Sequence, residues 1–209
     1  MNASVIGKAL DRKLLLLRQR RGRTPTRNSV AFANAEEKAC YIDGAARDDA
    51  RLPAIKALAG LVDRLPPAKR TQELYDFVRR NVDYVLDPDG EEFEDAQTTL
   101  INGQDDCDGT ARCLAALLIA AGLDACVRAV MSPDQREVAH FQAAVRWPGS
   151  TAHPMALPGG WIIADTTLDR VRLGQGAEAS EERDDGSVID LREVTPGEYG
   201  PVLEDLRRR

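Results

Sequence analysis

Residues 107–121 leave this chain few ways to fold. Ala111, Cys113, Leu114, Ala115, Ala116, Leu117, Leu118, Ile119, Ala120 and Ala121 give the segment almost no polar face. A helix apolar all round must be covered on every side, so the remaining elements have to be arranged around it. Asp105 or Asp106 is placed to cap its N-terminus, and Gly122 to close its C-terminus.

The flanking patterns supply the cover. Leu52, Ile55, Leu58, Ala59, Val62 and Leu65 recur at spacings of three and four, which predicts one amphipathic helix stopped by Pro66-Pro67. A further helix is expected over 71–81, with Leu74, Phe77 and Val78 inward, then an extended stretch over 82–86 and a turn at Asp87-Pro88-Asp89-Gly90. Beyond the buried helix, runs rich in Val, Ile or aromatics at 125–131, 138–147 and 161–166 read as consecutive strands. The 150–160 stretch is a Pro/Gly-rich loop, and 187–194 offers one more strand. Helices followed by antiparallel strands make an α+β fold with the buried helix packed on the sheet.

At 209 residues the chain fits one domain with extensions. Residues 1–50 read as a basic N-terminal extension or arm, 51–170 as the core domain, and 171–209 as a charged C-terminal extension. The arm holds Lys8, Arg12, Lys13, Arg18, Arg20, Arg21, Arg23 and Arg27 against Asp11 alone, with a short helix over 5–17. It reads as a solvated tail or, more sharply, as an electrostatic docking arm for nucleic acid or for the acidic surface of an assembly partner. A net charge of −6 and 5% aromatic content argue against nucleic-acid binding by the core. The apolar run 14–17 is far too short for a membrane span, so no membrane association is expected. None of the cysteines (Cys40, Cys107, Cys113, Cys126) forms a C-x-x-C pair, which points to reduced thiols and a cytoplasmic location.

Cys113 and Cys126 lie inside apolar runs and read as core residues. Cys107 differs: it opens the buried helix among Asp105, Asp106, Asp108 and Gly109. A helix N-terminus favours thiolate and offers backbone N–H groups to a developing oxyanion. The neighbouring carboxylates oppose thiolate formation by like-charge repulsion. His140, within a predicted strand, is a candidate general base. Asp165 ends the next strand, where a carboxylate needs a partner, and orienting an imidazole is such a role. His153, in the loop, reads as structural. Cys107, Cys113 and His140 lack usual zinc spacing, and Asp87–Asp95 has its Gly fourth where a calcium loop needs it sixth, so no metal and no cofactor are expected.

Three segments resemble the transglutaminase-like superfamily. They are Gly103-Gln104-Asp105-Asp106-Cys107-Asp108-Gly109 with the helix behind it, His140-Phe141-Gln142-Ala143-Ala144-Val145, and Gly160-Trp161-Ile162-Ile163-Ala164-Asp165. Tyr75-Asp76-Phe77-Val78-Arg79-Arg80-Asn81 is similar to the helix preceding the nucleophile. The resemblance covers about residues 52–170 and implies a papain-like α+β fold with Cys107 as nucleophile, His140 as base and Asp165 as orienting acid. Gln104 is an oxyanion-hole candidate, since an amide can donate to the oxyanion, and Gln97 is a second. The expected activity is cysteine-dependent acyl transfer on a protein or peptide, by hydrolysis or transamidation through a thioester. The chain also resembles stand-alone domains of small bacterial and bacteriophage proteins. The alternative is therefore a non-catalytic structural or assembly protein on the same fold, such as a component of a virion.

Overall fold

The computed structural model describes residues 4–20, 32, 35–86, 93–131, 138–147, 153, 155–167 and 172–175. Its elements are α1 (Val5–Arg20), α2 (Ala35–Asp49), α3 (Pro53–Ala59), α4 (Pro67–Asn81), β1 (Asp83–Tyr84), α5 (Ala96–Asn102), β2 (Gln104–Asp105), α6 (Cys107–Ala120), β3 (Ala125–Met131), β4 (Val138–Arg146) and β5 (Trp161–Ala164). The expected α+β layout is present.

Helix α6 is the hub, in contact with α2, α3, α4, α5, β3 and β4. Its ends follow the sequence. The Asp106 side chain caps the start by accepting from the N–H groups of Asp108 (3.0 Å) and Gly109 (3.2 Å). Gly122, at φ +76°, closes the other end: its own N–H reaches Ile119 O and that of Leu123 reaches Leu118 O, a Schellman pair. One face of α6 lies on the antiparallel sheet β3-β4-β5. Alternation sends Val127, Ala129, Phe141, Ala143, Val145, Ile162 and Ala164 into the shared core. The pairs Ala144↔Ile163 and Cys126↔Ala144 fix the register. A separate parallel pair, β1–β2, aligns Tyr84 with Asp105 just ahead of Cys107.

Several expectations change. The single helix expected over 52–65 stops at Ala59. From Gly60 the chain continues as turns, with Leu61 N bonding Leu58 O and Val62 N bonding Ala59 O, so Val62 still reaches the core. Pro67 begins α4 rather than ending the preceding helix, because a first-turn N–H has no partner to lose. Residues 35–50 and most of 4–20 do not form a free arm. Leu10, Leu14, Ala39, Ile42 and Ala46 are buried in the same core as α6. Arg18 donates to Leu100 O and Asn81 O, both at 2.9 Å. The basic run 21–31 lies outside the described residues, as do the 187–194 strand and the calcium-like turn at 87–92. In the C-terminal part, Leu173 is buried against the core and Gly174 N bonds Ile163 O, while residues beyond 175 are outside the described set. Among the described residues no helix is long and apolar enough to cross a membrane.

Packing of α1 has a direct consequence. Leu14→Ala should lower stability by about 2–5 kcal/mol, as deletion of a buried leucine side chain does. A urea midpoint unchanged from wild type would place α1 outside the cooperative unit.

Candidate functional site

Cys107 occupies the first turn of α6 and is partly exposed. Asp106 engages the N–H groups of Asp108 and Gly109, and that cap leaves the Cys107 N–H aside. The turn has a tight fit: a Cβ on Gly109 would overlap the Asp105 carboxyl. Asp105 is itself buried and fixed, accepting from Thr99 Oγ1 (2.5 Å) and Asp106 N (3.0 Å).

The backbone N–H of Phe141 donates to the Cys107 sulfur, which brings the nucleophile candidate against the residue next to His140 in β4. His140 stands where the β3–β4 register shifts. Val130 pairs with His140 but Met131 pairs with Val138, so Ala139 is skipped. Bulges of this kind re-aim a neighbouring side chain. The His140 Nε2 lies 2.8 Å from Asp165 Oδ2. Asp165 follows the last residue of β5 and is buried, and its Oδ1 accepts from Thr167 N (2.9 Å) and Thr167 Oγ1 (2.7 Å). Burial works against the Asp165 charge, but the bonds from His140 and Thr167 outweigh it and hold its carboxyl below the usual range. An ionised carboxylate can only accept, so Nε2 carries a proton in this pair, and in the neutral imidazole the lone pair then lies on Nδ1.

The Cys107 thiol is pushed up to about 12. Burial contributes most, then the Asp106 carboxylate, with Asp108 adding, while the Phe141 N–H and Lys38 act in the opposite sense. The opposing influences foreseen from the sequence are thus resolved against a resting thiolate. Cys113 is buried in the apolar core and Cys126 is buried outside it, within reach of the charges of Asp43 and Arg47, and burial raises both thiols further.

Gln104 lies on β2 with its side chain exposed, and Gln97 is buried on α5. His153 packs edge-on against Trp147 at 4.6 Å and accepts from Met155 N through Nδ1, away from the His140–Asp165 pair. Two neighbours of the site were not among the candidate site residues read from the sequence. Tyr75, buried on α4, is within electrostatic reach of Asp165. Burial first, with Asp165 adding to it, raises its phenol to about 12, so it stays neutral. Lys38, on α2, sits 3.3 Å from Asp108 Oδ2.

A cysteine heading a central helix, beside a strand whose histidine is held by a carboxylate on the next strand, defines a papain-like class of domain. The model of the transglutaminase-like superfamily matches residues 57–166, and the chain belongs to that superfamily. Among solved structures, the chain is similar to a protease candidate from Parabacteroides distasonis, at 16% identity and a TM-score of 0.49. The match covers 85% of this chain and 36% of that protein, so the chain spans little more than a third of its length. No match is found among curated protein sequences.

Proposed function

We propose that the domain catalyses cysteine-dependent acyl transfer on a peptide or amide, with Cys107 as nucleophile, His140 as general base and Asp165 as orienting acid. The observation that carries this reading is the 2.8 Å His140–Asp165 bond beside the strand residue that donates to the Cys107 sulfur. The thiol rests protonated, so the proton has to leave during attack. His140 Nδ1 takes it as the sulfur bonds to the carbonyl carbon, and the oxyanion is met by the N–H of Cys107. The tetrahedral intermediate then expels the amine, which receives that proton from His140, and leaves a thioester on Cys107. Water or a second amine, deprotonated by His140, releases the acyl group and restores the thiol. Membership of the superfamily supports this chemistry in general terms.

The test is acetylation by p-nitrophenyl acetate, located by mass spectrometry. Cys107 should be acetylated selectively, with release of p-nitrophenolate. His140→Ala should slow it by about 100-fold or more, the usual contribution of a general base. One observation favours a second reading, a non-catalytic assembly protein on the same fold: burial first, with the carboxylates beside Cys107 adding to it, holds its thiol protonated. Acetylation of Cys107 no faster than of Cys113, and indifferent to His140→Ala, would establish that second reading.

A further inference from the structure

Helix α2 precedes the part of the chain matched by the superfamily model, yet it delivers a cation to the head of α6. Lys38 Nζ lies 3.3 Å from the Asp108 carboxylate, and Asp108 is the residue after Cys107. The same ammonium stands 5.1 Å from the centroid of Phe141, whose N–H reaches the Cys107 sulfur, and 5.5 Å from that of Phe93. Ring faces attract a cation and fix it more firmly than a solvated surface would. Phe93 in turn stacks edge-on with Tyr41 of α2 at 5.6 Å, so the cage and the helix that carries Lys38 brace each other. The Lys38 side chain is only 15% exposed.

We infer that Lys38 is an electrostatic positioning residue, an ammonium supplied from outside the matched region that offsets the carboxylates around Cys107 and so stabilises its thiolate as the proton leaves. This rests on the acyl-transfer reading of Cys107. The groups whose charge bears on the sulfur are Asp106 of the cap, Asp108 of α6 and Lys38 of α2, while His140 of β4 is the chain neighbour of Phe141. The Asp108 carboxyl is itself pushed up to about 9, by burial first and then by Asp106, with Asp105 of β2 adding and Lys38 holding it down. Asp106 and Asp108 push the thiol up and Lys38 pulls it down. An ion pair serving only to neutralise Asp108 would need neither the Phe141 cage nor proximity to the sulfur.

Lys38→Met alone leaves a buried carboxylate without its partner and risks unfolding. The decisive comparison is therefore Asp108→Asn against Lys38→Met/Asp108→Asn, both free of a lone Asp108 charge. The rate of iodoacetamide alkylation of Cys107, read site by site from about pH 7 to 9 on the rising limb below its midpoint, should fall in the double variant as if the thiol were raised by about one unit, in the range expected for loss of a nearby opposite charge. Below the midpoint the thiolate fraction falls tenfold, but the more basic thiolate is more nucleophilic, so the net slowing is roughly threefold. Lys38→Arg/Asp108→Asn should match Asp108→Asn. Identical curves for the three variants, with intact melting, would overturn the role of Lys38 and leave the triad untouched. The reverse failure also separates: if wild type is not acetylated by p-nitrophenyl acetate, the triad reading falls, while the alkylation curves still report whether Lys38 sets the charge of the thiol.

Discussion

Asp49→Ala is expected to cost about 3–5 kcal/mol of stability, the penalty for stranding a buried charge by removing its partner. Asp49 ends α2 and is 5% exposed. Its Oδ2 accepts from Arg112 Nε at 2.6 Å and from Ala96 N at 2.8 Å, and its Oδ1 from Arg112 Nη2 at 3.1 Å. One carboxylate therefore ties together the end of α2, the first turn of α5 and the middle of α6. Burial raises its pKa, and the bonds from Arg112 and Ala96 only partly offset this, as desolvation does for buried ion pairs. The loss on removing one member comes from the guanidinium and the Ala96 N–H left unsatisfied. Asp49→Ala/Arg112→Leu should then recover much of the loss, because no charge is left uncompensated. Urea denaturation of the two variants measures this. A single variant within about 1 kcal/mol of wild type, the usual range for an exposed pair, would show Arg112 to be solvated instead.

That network also explains what the sequence concealed. Helix α6 is legible because its apolar residues leave no polar face and its caps, Asp106 and Gly122, stand where helix chemistry wants them. The strands of the sheet are legible from runs of Val, Ile and aromatics. Helix α2 is not. Its inward residues Ala39, Ile42 and Ala46 are mostly small and diluted by charge, so its composition reads as a solvated arm. The charges are in fact used inside: Asp43 accepts from Val127 N at the edge of β3, and Asp49 holds Arg112. Helix α5 escaped because it is short and contains Thr98 and Thr99, β-branched residues that disfavour helix. Its start is set by the Asp95 side chain, which accepts from Thr98 N, and its end by Gly103 at φ +73°.

Of the candidate site, one pairing was legible. Cys107, His140 and Asp165 each had a reason to be where they are, and the fold brings His140 to Asp165 directly. The state of the thiol was only half legible. The sequence shows the acidic neighbours and the helix start, but not how deeply the sulfur is buried, and burial is the largest influence on it. Lys38 was invisible because the distance that matters, from Nζ to Asp108, spans two helices far apart in the chain.

Asp165→Asn is expected to have the largest effect on chemistry, a fall of about 10³–10⁴-fold in acetylation of Cys107, the scale seen when an orienting carboxylate becomes an amide. The cause is the tautomer. Ionised Asp165 accepts from Nε2–H at 2.8 Å and so keeps the proton off Nδ1. An asparagine there can present its N–H₂ to Nε2 instead. The imidazole proton then moves to Nδ1, where it blocks acceptance of the thiol proton. The Thr167 bonds to Oδ1 can survive with the amide oxygen in that position, so the fold should be nearly intact. The carboxyl is held below its ordinary value, so its contribution to stability is present above about pH 4, where the unfolded carboxylate is ionised, and is lost as pH falls through the lowered pKa. Wild type should therefore lose melting temperature more steeply than Asp165→Asn on acidification below about pH 4. Parallel acid profiles for the two proteins, or acetylation unaffected by the substitution, would mean that the pair does not orient His140.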